Sequence, residues 1–212
     1  MSEPNVRAGR REQLRLERRQ NIVDAASKSF LENGYAGTSM SGLLNTIGGS
    51  KATLWSYFRS KEELFAAILE PAISSMRVDV SHTLDSRDSL EAGVADFCRR
   101  FMQANEPPEA LGLWRLIAAE SGRFPEVGRI FREHVVSVTE DELATYFKRG
   151  VESGILREED CHSMARVLLS LCISRLDRKL WSDPTAGPLL SVEAEADWVT
   201  SIFLRAFATQ ND

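Results

Sequence analysis

The sequence predicts an all-α fold of about nine helices, and three observations predict that class. Apolar residues recur at steps of three and four along most of the chain, as in Leu90, Val94, Phe97 and Phe101, which places them on one face of a helix. Capping and breaking residues separate these stripes, as Pro107 and Pro108 do. No segment alternates β-branched with polar residues in the way a strand requires.

Composition narrows the class further. The chain has 212 residues, of which 43% are hydrophobic and 27% charged, proportions that are ordinary for a globular protein. No apolar run approaches the roughly 18–20 residues of a membrane span, and the N-terminus lacks the apolar segment of a secretory signal. We therefore expect a cytoplasmic protein without a membrane partner. Cys98, Cys161 and Cys172 lack CxxC spacing and are predicted to be reduced core or interface residues.

Charge is distributed unevenly along the chain. Residues 1–63 carry 10 Lys and Arg against 7 Asp and Glu, a net charge of +3, whereas the remainder carries 16 against 24, a net charge of −8. A basic N-terminal part (residues 1–63, here called the head) on an acidic remainder (the body) suits binding to nucleic acid through the head. A basic arm leads into the first helix and is predicted to reach phosphates or a minor groove, with a solvated helix start as the alternative. Its members are Arg7, Arg10, Arg11, Arg15, Arg18 and Arg19.

The head contains a helix-turn-helix pattern between Thr38 and Lys61. A short apolar stripe from Met40 to Ile47 follows a hydroxyl residue that suits an N-cap, and Gly48-Gly49 allows a sharp turn before Ser50 caps a second short helix. In that second helix Leu54 and Phe58 point together into a core. The outward face then carries Ala52, Thr53, Trp55 and Ser56, which suits a major groove and its phosphates.

These residues resemble a known family. The run from about Arg11 to Leu69 is similar to the DNA-binding domain of TetR/AcrR-type transcriptional regulators at Ile22–Ala26, Phe30–Tyr35, Thr38–Met40, Gly49–Phe58 and Ser60–Leu64. Three positions depart from the usual pattern: Leu44 replaces a common Ala, Gly49 a common Val, and Trp55 the usual first Tyr of the motif. The resemblance implies DNA contacts, with Thr38, Tyr57 and Lys61 at phosphate-holding positions. The full set is Arg10, Arg11, Thr38, Ser39, Lys51, Ala52, Thr53, Trp55, Ser56, Tyr57 and Lys61.

Helix boundaries follow from breaking and capping residues. The first helix is predicted to run to about Asn33, with Gly34 as a left-handed C-cap. The fourth is predicted to start at Ser60, kink at Pro71 and reach about Leu84. A long helix is predicted after a turn over Ser121–Pro125, running through Ile130 to Gly154, and the last two are predicted to end near Trp181 and Thr209.

We expect a DNA-binding domain over residues 1–60 and a helical effector-binding and dimerisation domain over residues 61–212. Residues 113–126 and Gly154–Leu156 resemble the C-terminal domain of AefR-like members of the same family. Aromatic residues are dense in helices five to seven and are predicted to line a pocket for an apolar or aromatic effector, with simple core packing as the alternative. The predicted lining residues are Phe97, Phe101, Trp114, Ile117, Phe131 and His134.

The last two helices are apolar on more than one side. A surface helix of a monomer keeps a polar face, so the surplus predicts a two-fold four-helix interface, as the resemblance also implies. A buried hairpin in a monomer is the alternative. The predicted interface residues are Val167, Leu171, Trp198, Ile202, Phe203 and Phe207.

The sequence predicts a ligand-responsive transcriptional regulator rather than an enzyme. It contains no HxxxH, CxxC or GxSxG motif and no glycine-rich phosphate loop, so no cofactor, metal or catalytic residue is predicted. We expect a homodimer on a palindromic double-stranded operator, with a repressor favoured over an activator. The alternative is an all-α small-molecule carrier or enzyme without a DNA function.

Overall fold

The computed structural model describes residues 3–76, 89–180 and 189–209. Within those ranges it is helical, with an isolated antiparallel bridge between Leu156 and Ala208 and no strand. The all-α prediction is therefore confirmed. The chain divides into two compact units: unit 1 comprises residues 1–70 and 116–131, and unit 2 comprises residues 71–115 and 132–212.

Nine helices occupy the described ranges, and three of them contain a boundary between the two units. They are α1 (Glu3–Gly37), α2 (Met40–Ile47), α3 (Lys51–Tyr57), α4 (Lys61–Met76), α5 (Leu90–Ala104), α6 (Pro108–Glu120), α7 (α-helical over Pro125–Phe131, π-helical over Arg132–Val136 and α-helical again over Ser137–Glu152), α8 (Cys161–Leu180) and α9 (Val192–Phe207). The unit boundaries fall inside α4, after Glu70, inside α6, after Arg115, and inside α7, after Phe131.

Unit 1 is built around the helix-turn-helix predicted from the sequence. In α1, Ile22, Ala26 and Phe30 are buried along one stripe, as 3–4 spacing requires. The ring of Phe30 packs on those of Tyr35 and Phe65, with centroid separations of 5.6 and 5.3 Å. Phe124, in the turn between α6 and α7, packs on Tyr35 at 5.4 Å. Residues 116–131, which the sequence analysis assigned to the helical body, thus lie with the head.

Unit 2 is a bundle in which α8 packs against α5, α7 and α9, and α9 packs against α5. Phe147 of α7 and Phe203 of α9 are fully buried and stack at 4.8 Å between ring centroids. The residues around the Leu156–Ala208 bridge are held by two backbone hydrogen bonds. The Arg157 N–H donates to Phe207 O at 2.9 Å, and the Thr209 N–H donates to Ile155 O at 3.0 Å. This pairing closes the α7–α8 connection against the end of α9.

Two details of the helices differ from the sequence expectations. Gly34 interrupts α1 with φ 72° as predicted, but its ψ of 175° is extended rather than left-handed helical. In this conformation the following Tyr35 N–H donates to the Glu120 carboxylate at 3.1 Å. The long helix predicted to follow the Ser121–Pro125 turn begins at Pro125, but it contains a π-helical segment over Arg132–Val136. Helix α4 continues through Pro71 to Met76; the rest of its predicted course to Leu84, and Trp181, lie outside the described residues.

Candidate functional site

The helix-turn-helix in unit 1 is fixed at both helix starts by side-chain caps. Ser39 Oγ accepts from Gly42 N–H at 3.0 Å and Ser50 Oγ accepts from Thr53 N–H at 3.1 Å. Such caps satisfy backbone donors that have no partner within the helix. Leu54 and Phe58 are each 1% exposed and anchor α3 to the core. The rotation of α3 about its axis is therefore set by the residues that the sequence pattern assigned to the inside.

With α3 held in this way, its opposite side faces solvent. Lys51, Ala52, Thr53, Trp55 and Ser56 are all exposed, and Tyr57 is half-buried. The indole of Trp55 is 39% exposed, which is unusual for a large apolar residue and leaves its N–H available as a donor. Five of the seven residues of α3 thus present a small, hydroxylic and aromatic surface with one cation, Lys51, at its start.

The turn between α2 and α3 explains one departure from the family pattern. Gly48 has φ 62° and Gly49 has φ 101°, conformations that favour glycine. The guanidinium of Arg18 on α1 donates from Nη2 to Gly48 O at 2.6 Å, and the same nitrogen lies 2.9 Å from where a Cβ on Gly49 would stand. A valine at residue 49 would be strained by the positive φ and would crowd the Arg18 guanidinium. The position of Arg18 therefore depends on glycine at residue 49.

The basic arm divides into structural and exposed members. Arg18 holds the turn, and Arg19 donates from Nη2 to both carboxylate oxygens of Glu70 at 3.1 Å while its guanidinium lies 5.3 Å from the Phe58 ring centroid. Arg10, Arg11 and Arg15 are exposed on α1, and Arg15 is 3.7 Å from Glu12. The exposed members are the ones available to phosphates.

The remaining predicted DNA-contact residues lie in different surroundings. Ser39 is exposed, whereas Thr38 is 2% exposed and its hydroxyl donates to Gly34 O at 3.1 Å. Lys61 is half-buried, with its ammonium 4.1 Å from the Tyr35 ring centroid. Burial lowers the pKa of Lys61, while the neighbouring carboxylates Glu62, Glu120 and Glu126 act in the opposite direction. Lys61 is thus a positioned cation rather than a freely solvated one.

Glu120 connects the end of α6 to the head, a contact that the sequence reasoning missed. Its carboxylate accepts the Tyr35 N–H and lies 2.6 Å from the position a Cβ on Gly34 would occupy. Burial, followed by the charges of Glu62 and Glu126, raises the pKa of the Tyr35 phenol. The signal in the sequence was the Glu-Ser-Gly-Arg-Phe-Pro turn, whose Phe124 joins the same aromatic cluster.

The predicted effector-pocket residues are divided between the two units. Ile117 and Phe131 lie in unit 1, whereas Phe97, Phe101, Trp114 and His134 lie in unit 2. Within unit 2, Phe97 and Phe101 are buried with ring centroids 6.0 Å apart, and His134 is exposed. The indole N–H of Trp114 donates to Asn105 Oδ1 at 2.6 Å. Phe101 and Asn105 also line a pocket between α5 and α8.

That pocket has a charged side that sequence reasoning did not find. Arg175 of α8 has a side chain 8% exposed; it pairs with Glu106 at 3.1 Å and with Glu195 of α9, which is 6% exposed. Lys179 Nζ reaches the same Glu106 oxygen at 2.5 Å. Arg175 stands beside Leu171, Cys172 and Leu176 in the α8 stripe, and Glu195 leads the α9 stripe. A charged residue inside an apolar stripe, with an opposite charge in a neighbouring one, was the available signal.

The predicted interface residues of unit 2 differ in exposure. Val167 of α8 is 41% exposed and Trp198 of α9 is 51% exposed, whereas Phe203 is buried against Phe147. Leu171, Ile202 and Phe207 are half-buried. Exposed large apolar side chains on both α8 and α9 are the part of the predicted set that a second chain would cover.

Among residues 3–76, 89–180 and 189–209, no group of three or more His, Cys, Asp or Glu side chains is placed to hold a metal ion. No helix in those same ranges combines the length and the apolar character needed to cross a membrane.

A capped helix-turn-helix with an exposed second helix, followed by a larger helical bundle, defines the class of helix-turn-helix transcriptional regulators. Residues 22–68 match the family described as bacterial regulatory proteins, tetR family, and residues 92–209 match the AefR-like transcriptional repressor C-terminal domain. The chain belongs to the TetR family of DNA-binding transcriptional regulators.

Relatives and solved structures agree with this assignment. The chain is 26% identical over 193 residues to the transcriptional repressor NicS of Pseudomonas putida, covering 87% of this chain and 88% of NicS. It resembles the structure of a TetR-family regulator from Mesorhizobium loti with a TM-score of 0.74 and 25% identity, over 92% of this chain and 98% of that one. The flavonoid-responsive regulator FrrA gives a TM-score of 0.73 and 28% identity, over 92% and 99% of the two chains.

Proposed function

We propose that this protein is a ligand-responsive repressor that binds a palindromic operator as a homodimer. The observation that carries the DNA-binding part is the outward face of α3, fixed by buried Leu54 and Phe58 and exposed from Lys51 to Ser56. A helix presented in this way enters a major groove, and a two-fold dimer places two such helices on half-sites separated by whole helical turns.

Different residues of the head provide affinity for DNA and discrimination between DNA sequences. Contacts to phosphates add affinity without sequence information, whereas contacts to base edges discriminate between sequences. We assign phosphate contacts to Arg10, Arg11, Tyr57 and Lys61, and base contacts to the α3 face at Lys51, Ala52, Thr53 and Ser56, with Trp55 and Ser39 at its margins. Thr38 acts through the start of α2, which its bond to Gly34 O helps to position.

The experiment first captures DNA from the native genome with the purified full-length protein and sequences it. Binding is then measured on the recovered operator and on a scrambled duplex across a salt series. Lys61→Ala should weaken both and lower the salt slope by about one unit per half-site. Thr53→Ala and Ala52→Leu should leave the salt slope unchanged. They should change the difference in binding free energy between operator and scrambled duplex by ~1–3 kcal/mol.

Lys28→Ala supplies the matched control, because Lys28 is an exposed lysine of the same head that pairs with Glu32 at 3.9 Å. It should alter neither slope nor preference. Failure of the protein to retain any specific duplex would overturn the proposed function in favour of an all-α carrier. A change of sequence preference in Lys61→Ala without one in the α3 variants would instead overturn the assignment of the two roles.

The dimer and the ligand response rest on unit 2. Exposed Val167 and Trp198 support a surface between two copies of α8 and α9. The resemblance to the flavonoid-responsive regulator FrrA, at 28% identity, supports a small-molecule effector, and a coupling of ~1–3 kcal/mol between effector and operator is enough for regulation.

A further inference from the structure

We propose that α3 identifies its operator mainly through the methyl groups of thymine bases, which contact the methyl groups of Ala52 and Thr53. This inference rests on the proposed function, since it names the chemical group that the DNA-reading face recognises. Thymine carries a methyl group on its major-groove edge, and apolar groups such as an Ala side chain or a Thr methyl recognise it. The base pairs that face α3 in each half-site should accordingly include thymines at fixed positions.

The composition of α3 leaves out most of the side chains that read bases through hydrogen bonds. Guanine is read by Arg or Lys, adenine by Asn or Gln, and the amino group of cytosine by Asp or Glu. Of these six residue types the helix Lys51–Tyr57 contains lysine alone, at its first position. The other exposed polar groups of α3 are hydroxyl groups and the indole N–H of Trp55.

The hydroxyl groups of this face are already engaged within the head. Ser50 Oγ accepts the Thr53 N–H at 3.1 Å and lies 2.9 Å from Thr53 Oγ1, so this pair uses one hydroxyl hydrogen on itself, whichever oxygen donates. Ser56 Oγ donates to Thr53 O at 2.7 Å. A hydroxyl that turns to a base gives up such a bond first, so the exchange gains little net free energy. The methyl groups of Ala52 and Thr53 have no bond to give up.

These methyl groups lie on the side of α3 that a base edge would meet. Leu54 and Phe58, each 1% exposed, fix the inner side of the helix. Ala52 and Ser56 share the outer side, because residues four apart lie on one face, and Thr53 and Trp55 flank them, both exposed. Small side chains at the centre of this face let the helix approach the base edges closely. Close approach brings methyl groups of protein and DNA into contact and removes both from water.

The test uses the full-length protein and the operator recovered by capture, with each thymine of one half-site replaced in turn by deoxyuridine. The exchange removes a methyl group and keeps every hydrogen-bonding group of the base. At least one exchange should weaken binding by about fourfold, as loss of one buried methyl group does. At that position deoxycytidine should also weaken binding. 5-Methyldeoxycytidine should recover part of the loss, because it restores a methyl group at the same place in the groove.

The matching change on the protein is Thr53→Ser, which removes the methyl group and keeps the hydroxyl group. In this variant the deoxyuridine exchange at the position that Thr53 reads should weaken binding by less than about twofold, because the partner of the thymine methyl is gone. Thr53→Val keeps a methyl group and removes the hydroxyl group, so it should retain the dependence on the thymine methyl. Lys28→Ala is the control, an exposed lysine of the head outside the helix-turn-helix, and should show the full deoxyuridine effect.

The proposal is overturned if no deoxyuridine exchange weakens binding by more than about twofold. Full dependence on the thymine methyl in Thr53→Ser, or loss of that dependence in Thr53→Val, would overturn it as well, since the hydroxyl group would then be the reader. Binding of the unmodified operator and of a scrambled duplex is measured in the same series. Specific binding without any methyl effect contradicts this inference alone, whereas absence of specific binding contradicts the proposed function.

Discussion

At the scale of single residues, Gly49 shows how one conformation determines which side chains a turn accepts. Its φ of 101° and the Arg18 nitrogen 2.9 Å from a potential Cβ both oppose substitution. Gly49→Ala should therefore lower the free energy of unfolding by about 1–3 kcal/mol. Gly122→Ala is the control, because nothing lies within 4 Å of its potential Cβ, and it should change stability by less than about 1 kcal/mol. Urea unfolding of both variants measures the difference; equal effects would contradict the role assigned to the turn.

The three cysteines give a second prediction at this scale. Cys98 and Cys172 are buried, whereas Cys161 is partly exposed at the start of α8. A thiol reacts as the thiolate, and burial raises the pKa of Cys161 above its usual value. In native protein only the thiol of Cys161 should react with a chromogenic disulfide reagent, and its reaction at pH 7 should be slower than that of a free thiol. All three thiols should react after denaturation, and Cys161→Ser should abolish the native reaction. Rapid reaction of two thiols in native protein would contradict this placement.

At the scale of helices, α8 and α9 separate residues that hold the bundle from residues that face outward. Val167→Glu with Trp198→Glu changes only exposed side chains, so the double variant should stay folded and sediment as a monomer at micromolar concentration. Phe203→Asp should instead unfold unit 2, because Phe203 stacks on Phe147 inside the core.

Ile155→Glu is the control for the dimer variant, since Ile155 is 48% exposed in unit 2 outside α8 and α9. It should remain dimeric. Circular dichroism of each variant distinguishes dissociation from unfolding. A double variant that stays dimeric would move the interface away from Val167 and Trp198.

Sequence reasoning succeeded for helices wherever a local cause determines the structure. Ser39, Ser50 and Ser191 cap α2, α3 and α9 as hydroxyl residues ahead of apolar stripes do, and Pro108 begins α6 as its fixed φ favours. The π-helical segment of α7 has no such local signal, because 3–4 spacing continues across it. It was therefore read as ordinary helix.

The candidate site was predictable in part for the same reason. The exposed face of α3 follows from the burial of Leu54 and Phe58, which periodicity reveals. The roles of Arg18, Arg19 and Glu120 depend on partners 30 to 85 residues away in sequence, and no local pattern encodes such distances. The arginines were consequently all assigned to the basic arm.

At the scale of the whole molecule, the buried charges of unit 2 join three parts of the chain through Arg175. It contacts Glu106 after α5, Leu190 before α9 and Glu195 within α9. Glu195→Leu should lower the free energy of unfolding by about 3–5 kcal/mol, because it leaves Arg175 without its buried partner. Arg175→Met with Glu195→Leu should recover most of that loss, since Lys179 still pairs with Glu106 at 2.5 Å. Denaturant unfolding tests both; a double variant less stable than the single one would contradict this account.

The π-helical segment Arg132–Val136 has a consequence for which lengths of chain α7 tolerates. A π-helical turn contains one residue more than an α-helical turn, so this segment holds a surplus residue that the helices on either side do not need. Deleting Arg132, which is exposed, should convert the segment to α-helix and leave both flanking parts in phase. Deleting the exposed Lys148 should instead rotate the residues beyond it by ~100° and misplace the buried face. A gene library of single-codon deletions, sorted for folded protein, should therefore show a tolerant window over residues 132–136 inside an intolerant helix.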